Sequence, residues 1–163
     1  MYNGRMLKVA DEVWLITALL HHDNAERRDF SISEIVDRAE REKLTARLRP
    51  GFRIHVTQHC VASAPPDPGR YRMLHATSPG RRRLFRAGDP THPAREGAKS
   101  MPVVDEVPQS LRWLLDWYSR SFAPARSVAA DTDPLLSLRS SGAHLFQDET
   151  PDEYVARLRQ AWE

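Results

Sequence analysis

The segment from Phe52 to Ala62 concentrates polar side chains that can hydrogen-bond to another molecule. They belong to Arg53, His55, Thr57, Gln58 and His59. Arginine can bond the edge of guanine through two hydrogen bonds, and glutamine can do the same to adenine. The apolar positions recur at three- and four-residue steps, which favours a helix over a strand. We therefore predict a helix that reads base edges in the major groove of double-stranded DNA.

Two histidines of this segment raise a second possibility. His55 and His59 are four residues apart, so a helix would place both imidazoles on one face, and His75 or His92 could add a third metal ligand. However, the segment lacks the glutamate of a His-Glu-x-x-His pattern, and Cys60 would point to the other face. We predict no metal site, and we expect the two histidines to face DNA or to pack against a neighbouring segment.

Nothing in the sequence matches a common catalytic motif. There is no Gly-x-Ser-x-Gly, no phosphate-binding glycine loop and no Cys–His pair in a recognisable context. The single cysteine, Cys60, excludes an internal disulfide framework and a cysteine-rich zinc site. We expect a protein that is not an enzyme and that needs no cofactor.

Charge is distributed unevenly along the 163 residues. Residues 41–95 contain twelve Lys and Arg side chains, eleven of them arginine, but only three Asp and Glu. Residues 123–163 contain four cationic and seven acidic side chains. A basic middle suits a polyanion such as nucleic acid, although arginine enrichment also follows from a GC-rich genome, and an acidic tail suits a different partner.

No segment predicts a membrane partner. Asp11 and Glu12 interrupt the apolar run of residues 9–20, which stays well short of the roughly 18 apolar residues of a membrane span. The first eight residues lack the basic-then-apolar order of a signal peptide. We expect a cytoplasmic protein.

Four helices and one hairpin would position the polar segment. The apolar spacing predicts helices over residues 8–24, 31–43, 52–62 and 109–122, the first with a single apolar face. Ser31 and Glu34 have the spacing of a capping box at the start of the second helix. Residues 70–77 and 81–86 flank the turn Ser78-Pro79-Gly80 and predict a β-hairpin, whereas the Pro- and Gly-rich residues 87–108 predict a surface loop.

The predicted hairpin is basic. Its side chains suited to DNA phosphates are Arg72, Arg81, Arg82 and Arg83. Two helices, a turn, a third helix and a basic hairpin form, in that order, the layout of a winged helix-turn-helix domain. Residues 48–62 and 66–74 resemble an uncharacterised bacterial winged-helix-like domain family, with similarity over about residues 10–118. We predict a mainly α fold with a small β-hairpin (α+β), its winged domain spanning residues 1–122.

After a linker at residues 123–133, the tail at 134–163 carries several large apolar side chains. Residues 133–146 and 152–162 resemble the toxin-binding tail of antitoxins that partner PIN-domain ribonucleases, the VapB-like group. The resemblance implies an extended or helical tail that wraps the toxin and blocks its acidic, magnesium-binding active site. The departures are Ala143, where such tails often have a basic residue, and Phe146, where tryptophan is common.

The tail has too many large apolar groups for a free segment and too few for a separate core, so it needs a partner surface. The residues expected to contact the toxin are Leu135, Leu138, Arg139, Leu145, Phe146, Tyr154, Arg157, Leu158, Arg159 and Trp162. Because of the departures above, Arg157 or Arg159 is the better candidate to enter the active site. Alternatively, the tail folds onto its own winged domain or onto a second copy in a homodimer.

Together these features predict the antitoxin of a type II toxin–antitoxin pair. Its winged helix would bind operator DNA, and its tail would neutralise a PIN-domain ribonuclease. The alternatives are a winged-helix protein–protein adaptor and a stand-alone transcriptional regulator without a toxin. The adaptor gains support if Arg81, Arg82 and Arg83, together with the polar face of Phe52–Ala62, are buried or paired with acids.

Overall fold

The computed structural model of the protein describes residues 7–124. Within them, helices and a small three-stranded antiparallel sheet form a mixed fold, which confirms the predicted α+β class. The helices are α1 (Val9–Asp23), α2 (Ile32–Glu42), α3 (Phe52–Ile54) and α4 (Trp113–Trp117). The strands are β1 (Phe30–Ser31), β2 (Leu74–Ser78) and β3 (Arg81–Leu84).

Helix α1 is the centre of the fold. The predicted single apolar face is wrong, because every residue from Ala10 to His21 is buried. The two carboxylates that interrupt its apolar run lie inside and are paired: Lys99 Nζ is 2.8 Å from Asp11, and Arg49 forms an ion pair of 2.5 Å with Glu12. A helix can be buried on all sides when its charged groups find such partners.

Helix α2 begins as its sequence predicts. The Glu34 amide donates to the Ser31 hydroxyl at 3.1 Å, and the Ser31 amide donates to the Glu34 carboxylate at 2.7 Å, which completes the capping box. Hydrogen bonds from Arg27 and from the Ser31 amide lower the pKa of Glu34 to about 2. The helix ends at Glu42, and the next residue, Lys43, has a φ of 53° in the left-handed region that turns the chain out of the helix.

Helices α3 and α4 are shorter than predicted, because each passes into a π-helical turn. The chain continues from α3 as π-helix over His55–His59 and from α4 over Tyr118–Phe122. Residues 109–111, predicted as the start of the fourth helix, form a 3₁₀ turn instead. Single π-helical turns inside helices occur often at functional sites.

The predicted hairpin is confirmed, although its strands are shorter. Strand β3 lies between β1 and β2 and is antiparallel to both, with Leu74 opposite Leu84 and Phe30 opposite Arg82. The turn at Ser78-Pro79-Gly80 needs a glycine at its end, where φ is 74°. The hairpin joins the helices through buried Leu74 and Leu84.

The prediction of a surface loop over residues 87–108 is wrong for the residues that attach this loop to the core. Arg95 and Val107 are buried, and Lys99 bridges Asp11 of α1 and Glu106 of the loop. The loop is held against α1 because its cation supplies the charge partner that the buried Asp11 needs.

The π-helical turn after α4 packs against α1 through an aromatic pair. The Trp14 and Tyr118 rings meet edge to face with centroids 5.2 Å apart, and the Tyr118 hydroxyl donates to the Phe85 carbonyl at 2.6 Å. The lone cysteine, Cys60, is buried. None of the helices in residues 7–124 is long and apolar enough to cross a membrane.

Candidate nucleic-acid interface

The turn between α2 and α3 is fixed to the core by an arginine. Arg49 Nε and Nη2 donate to the Glu12 carboxylate, and Nη1 donates to the Leu7 carbonyl. Phe52 and Val56 of the following helical segment are fully buried, so one side of that segment packs into the core. Its other side exposes Arg53 and Ile54.

The structure places the predicted base-reading residues at different depths. Arg53 is exposed and has no ion pair or hydrogen bond with any described residue, whereas His55, Thr57, Gln58 and His59 are half-buried. The Thr57 hydroxyl donates to the Ile54 carbonyl at 3.2 Å. Arg53 is therefore the predicted residue most accessible to a ligand.

Two further cations lie on the α2–α3 turn and were not predicted as site residues. Lys43 and Arg47 are exposed and, within residues 7–124, have no carboxylate partner. The stretch from Lys43 to Pro66 contains four Lys and Arg residues and no Asp or Glu. The absence of acids from this stretch, rather than its helical pattern, could have identified Lys43 and Arg47 as site residues. We call Lys43, Arg47 and Arg53 the turn cations.

The two histidines of the π-helical turn after α3, His55 and His59, contact each other. Their ring centroids are 4.9 Å apart at 80°, and His55 Nδ1 donates to the Gly51 carbonyl at 2.7 Å. Burial is the main reason that the pKa of His55 is lowered. A Cβ on Gly69 would lie 2.9 Å from the Cβ of His59, so the connector after α3 packs directly on this histidine.

The metal alternative finds no third ligand in the part of the chain that the structure describes. No three or more His, Cys, Asp or Glu side chains within residues 7–124 are grouped as a metal site would need. His92 instead accepts a hydrogen bond from the Ala94 amide and caps a short 3₁₀ turn.

Arg82 must be removed from the predicted phosphate-binding residues. It is 8% exposed, and its guanidinium donates to the Val56 and Thr57 carbonyls, each at 3.1 Å, and to the Arg81 carbonyl at 2.8 Å. Burial lowers its pKa. Its hydrogen bonds hold β3 to the end of α3, which leaves the guanidinium inaccessible to a phosphate.

The neighbouring arginines are paired with acids. Arg81 forms an ion pair of 2.6 Å with Asp29, and Arg83 forms one of 2.5 Å with Asp89. Arg81 keeps 40% of its side chain exposed, whereas Arg83 keeps only 11%. A phosphate would have to compete with a carboxylate at either position.

The fourth predicted hairpin arginine, Arg72, contacts the loop. Its Nε donates to the Ala98 carbonyl at 2.7 Å, and its guanidinium lies 5.5 Å from the Phe85 ring centroid. It lines an open groove of about 530 Å³ together with Met101 and Tyr118. Among the described residues, no hydrogen bond or ion pair joins Arg72 to a turn cation.

Sequence analysis missed the residue that orders this region. Arg95 is fully buried, and each of its five N–H groups can donate to a backbone carbonyl at 2.5 to 3.2 Å. The accepting carbonyls belong to Gln58, His59, Ala64, Pro65 and Tyr71. Arg95 therefore joins the end of α3, the proline-rich connector and the entry to β2.

The predicted toxin-contacting residues, all between Leu135 and Trp162, lie outside the described residues. Comparison with known proteins assigns no family to this arrangement, since the chain matches no protein-family profile, no curated protein and no solved structure.

Proposed function

We propose that this chain is a winged helix-turn-helix protein that binds double-stranded DNA through α3 and serves as the antitoxin of a PIN-domain ribonuclease. The observation that carries the DNA-binding part is the set of turn cations, which are exposed and lack carboxylate partners among the described residues. The element order α1-β1-α2-α3-β2-β3, with β3 between β1 and β2, is typical of winged helices and supports this proposal.

Unpaired cations favour a polyanion because binding a phosphate releases a condensed counterion. Several other cations among the described residues are paired, as Arg27 is with Glu34 at 2.7 Å and Arg81 with Asp29 at 2.6 Å. Because the stretch from residue 43 to residue 66 contains no Asp or Glu, none of its own side chains would repel a phosphate that approaches the turn cations.

Replacing the turn cations with alanine is expected to weaken DNA binding in two different ways. Arg53→Ala should cost about 1–3 kcal/mol at the preferred site, because a base contact is lost. Lys43→Ala and Arg47→Ala should weaken binding to every duplex and each reduce the salt slope by about one unit. The measurement is fluorescence anisotropy with a duplex selected from a random library, at several salt concentrations.

The matched control for these variants is Arg120→Ala. Arg120 is also exposed and unpaired among the described residues, but it lies in the π-helical turn after α4. It should leave both affinity and salt slope unchanged. An equal loss in the control and in Arg53→Ala would contradict a specific role for α3.

The toxin-binding part of the proposal comes from the resemblance of the tail. Deleting residues 134–163 is expected to abolish binding of the ribonuclease while DNA affinity is retained. Native mass spectrometry of the tagged chain, expressed from its own locus with neighbouring genes, should reveal a companion of PIN-domain size that the deletion removes. A tight complex that survives the deletion, or a full-length chain without a companion, would contradict this division of roles.

A protein–protein adaptor remains the second candidate, and one observation favours it. Arg82 is buried, and Arg81 and Arg83 are paired with Asp29 and Asp89, as an adaptor predicts for the hairpin. This candidate predicts that no duplex is enriched from a random library. Enrichment of a duplex that Arg53→Ala no longer binds would exclude it.

A further inference from the structure

Helix α3 exposes an apolar side chain that the core does not use. Ile54 is 42% exposed, whereas Phe52 and Val56 on either side of it in sequence are fully buried. Burial of Phe52 and Val56 already attaches this helix to α1 and α2. Ile54 therefore lies beside Arg53 on the side of the helix that does not pack into the core.

The surroundings of Ile54 point to a nucleic acid rather than to an apolar protein surface. Ile54 lies within the acid-free stretch that carries the turn cations, so a polyanion meets no repelling carboxylate from that stretch. The Thr57 hydroxyl, one turn further along, donates to the Ile54 carbonyl, so its hydrogen is not available to a base. The helix therefore presents an apolar side chain at Ile54 directly after the exposed Arg53 cation.

The major groove of DNA contains one apolar group that such a side chain can recognise. Thymine carries a C5 methyl at its groove edge, and cytosine lacks it. Isoleucine is stiff at χ1 and loses little freedom when it packs against a methyl group. On the basis of the proposed DNA binding, we infer that Ile54 is a specificity-determining residue that reads the C5 methyl group of a thymine.

Deoxyuridine tests this inference because it removes the methyl group and leaves the base pair otherwise intact. A duplex selected by the full-length chain is resynthesised with each thymine replaced singly by deoxyuridine. At one position, the wild-type chain is expected to lose about three- to tenfold in affinity, the scale of one or two buried carbon groups. Ile54→Ala should bind the thymine and deoxyuridine duplexes equally, whereas Ile54→Val should retain part of the difference.

The controls separate this inference from the proposal on which it rests. Arg120→Ala should keep the wild-type preference for thymine. Tight binding of a selected site that contains no thymine, or that is insensitive to every deoxyuridine, would overturn the role of Ile54 but leave DNA binding intact. The same holds if Ile54→Ala stays as sensitive as the wild type. Failure to enrich any duplex would overturn both.

Discussion

Replacing Arg95 with methionine is expected to lower the free energy of unfolding by about 3–5 kcal/mol, an unusually large loss for one substitution. The guanidinium is fully buried, and all of its N–H groups donate to backbone carbonyls. Methionine fills a similar length but donates nothing. The substitution would leave several carbonyls without this partner in a region from which water is excluded.

The charge of Arg95 explains why lysine cannot replace it. No carboxylate pairs with Arg95 among the described residues, so carbonyl dipoles alone offset its charge. Two of those carbonyls, of Gln58 and His59, end the π-helical turn of α3, where the helix dipole favours a cation. Lysine has three donors and no planar fork, so Arg95→Lys should lose more than half as much stability as Arg95→Met.

Urea unfolding followed by circular dichroism gives the free energy of unfolding of each variant. Arg120→Met is the matched control, because Arg120 is exposed and, within residues 7–124, unpaired. It should stay within about 0.5 kcal/mol of the wild type. A loss below about 1 kcal/mol for Arg95→Met would show that the buried carbonyls find other partners, and it would contradict the role given to Arg95.

Elements that depend on neighbours in the sequence could be predicted. The capping box of Ser31 and Glu34 determines where α2 begins, and the Ser78-Pro79-Gly80 turn determines where the hairpin reverses. Arg95 could not be predicted, because its acceptors come from separate segments up to 37 residues away. In the sequence, Arg95 lies within the Pro- and Gly-rich residues 87–108, where an arginine is expected to be exposed to solvent.

The residues of the candidate site also differ in whether the sequence alone could predict their positions. Arg53 could be predicted to face outward because its helical neighbours Phe52 and Val56 define the buried side of α3. Arg82 could not, because only the pairing of β3 between β1 and β2 brings its guanidinium beneath the end of α3.

Acid is expected to destabilise the protein through His21, well before most carboxylates become protonated. His21 is 3% exposed and packs between the Phe30 and Phe122 rings, with centroids 4.8 and 4.6 Å away. Its Nε2 accepts from the Leu84 amide at 3.4 Å, and the Arg27 backbone holds the imidazole by a second hydrogen bond. A proton on Nε2 would therefore face another N–H group.

Burial, followed by the nearby charges of Arg86 and Arg83, lowers the pKa of His21 from 6.5 to about 3, although the Arg27 hydrogen bond and Asp29 oppose the shift. Below pH 6.5 the unfolded chain binds a proton at His21 that the folded chain does not bind until about pH 3. The contribution of His21 to the free energy of unfolding is therefore fully present above pH 6.5 and is lost as the pH decreases. Between pH 8 and pH 5 the loss should be about 2 kcal/mol.

His21→Gln is expected to remove most of this pH dependence, since glutamine can still accept from the Leu84 amide but does not titrate. Burial also lowers the pKa of His55 and His75, so a smaller slope should remain. His22→Gln is the control, because it keeps His21 and changes an exposed neighbour. The measurement is urea unfolding at a series of pH values between 5 and 8.

An NMR titration of the wild-type imidazole keeps this prediction testable even if His21→Gln folds poorly. In the folded chain at pH 5, the Nε2 of His21 should remain unprotonated, because protonation would require it to lose the Leu84 hydrogen bond and to hold a charge between two aromatic rings. An imidazole that titrates above pH 5 without unfolding, or a slope that His21→Gln leaves unchanged, would place the acid sensitivity elsewhere in the protein.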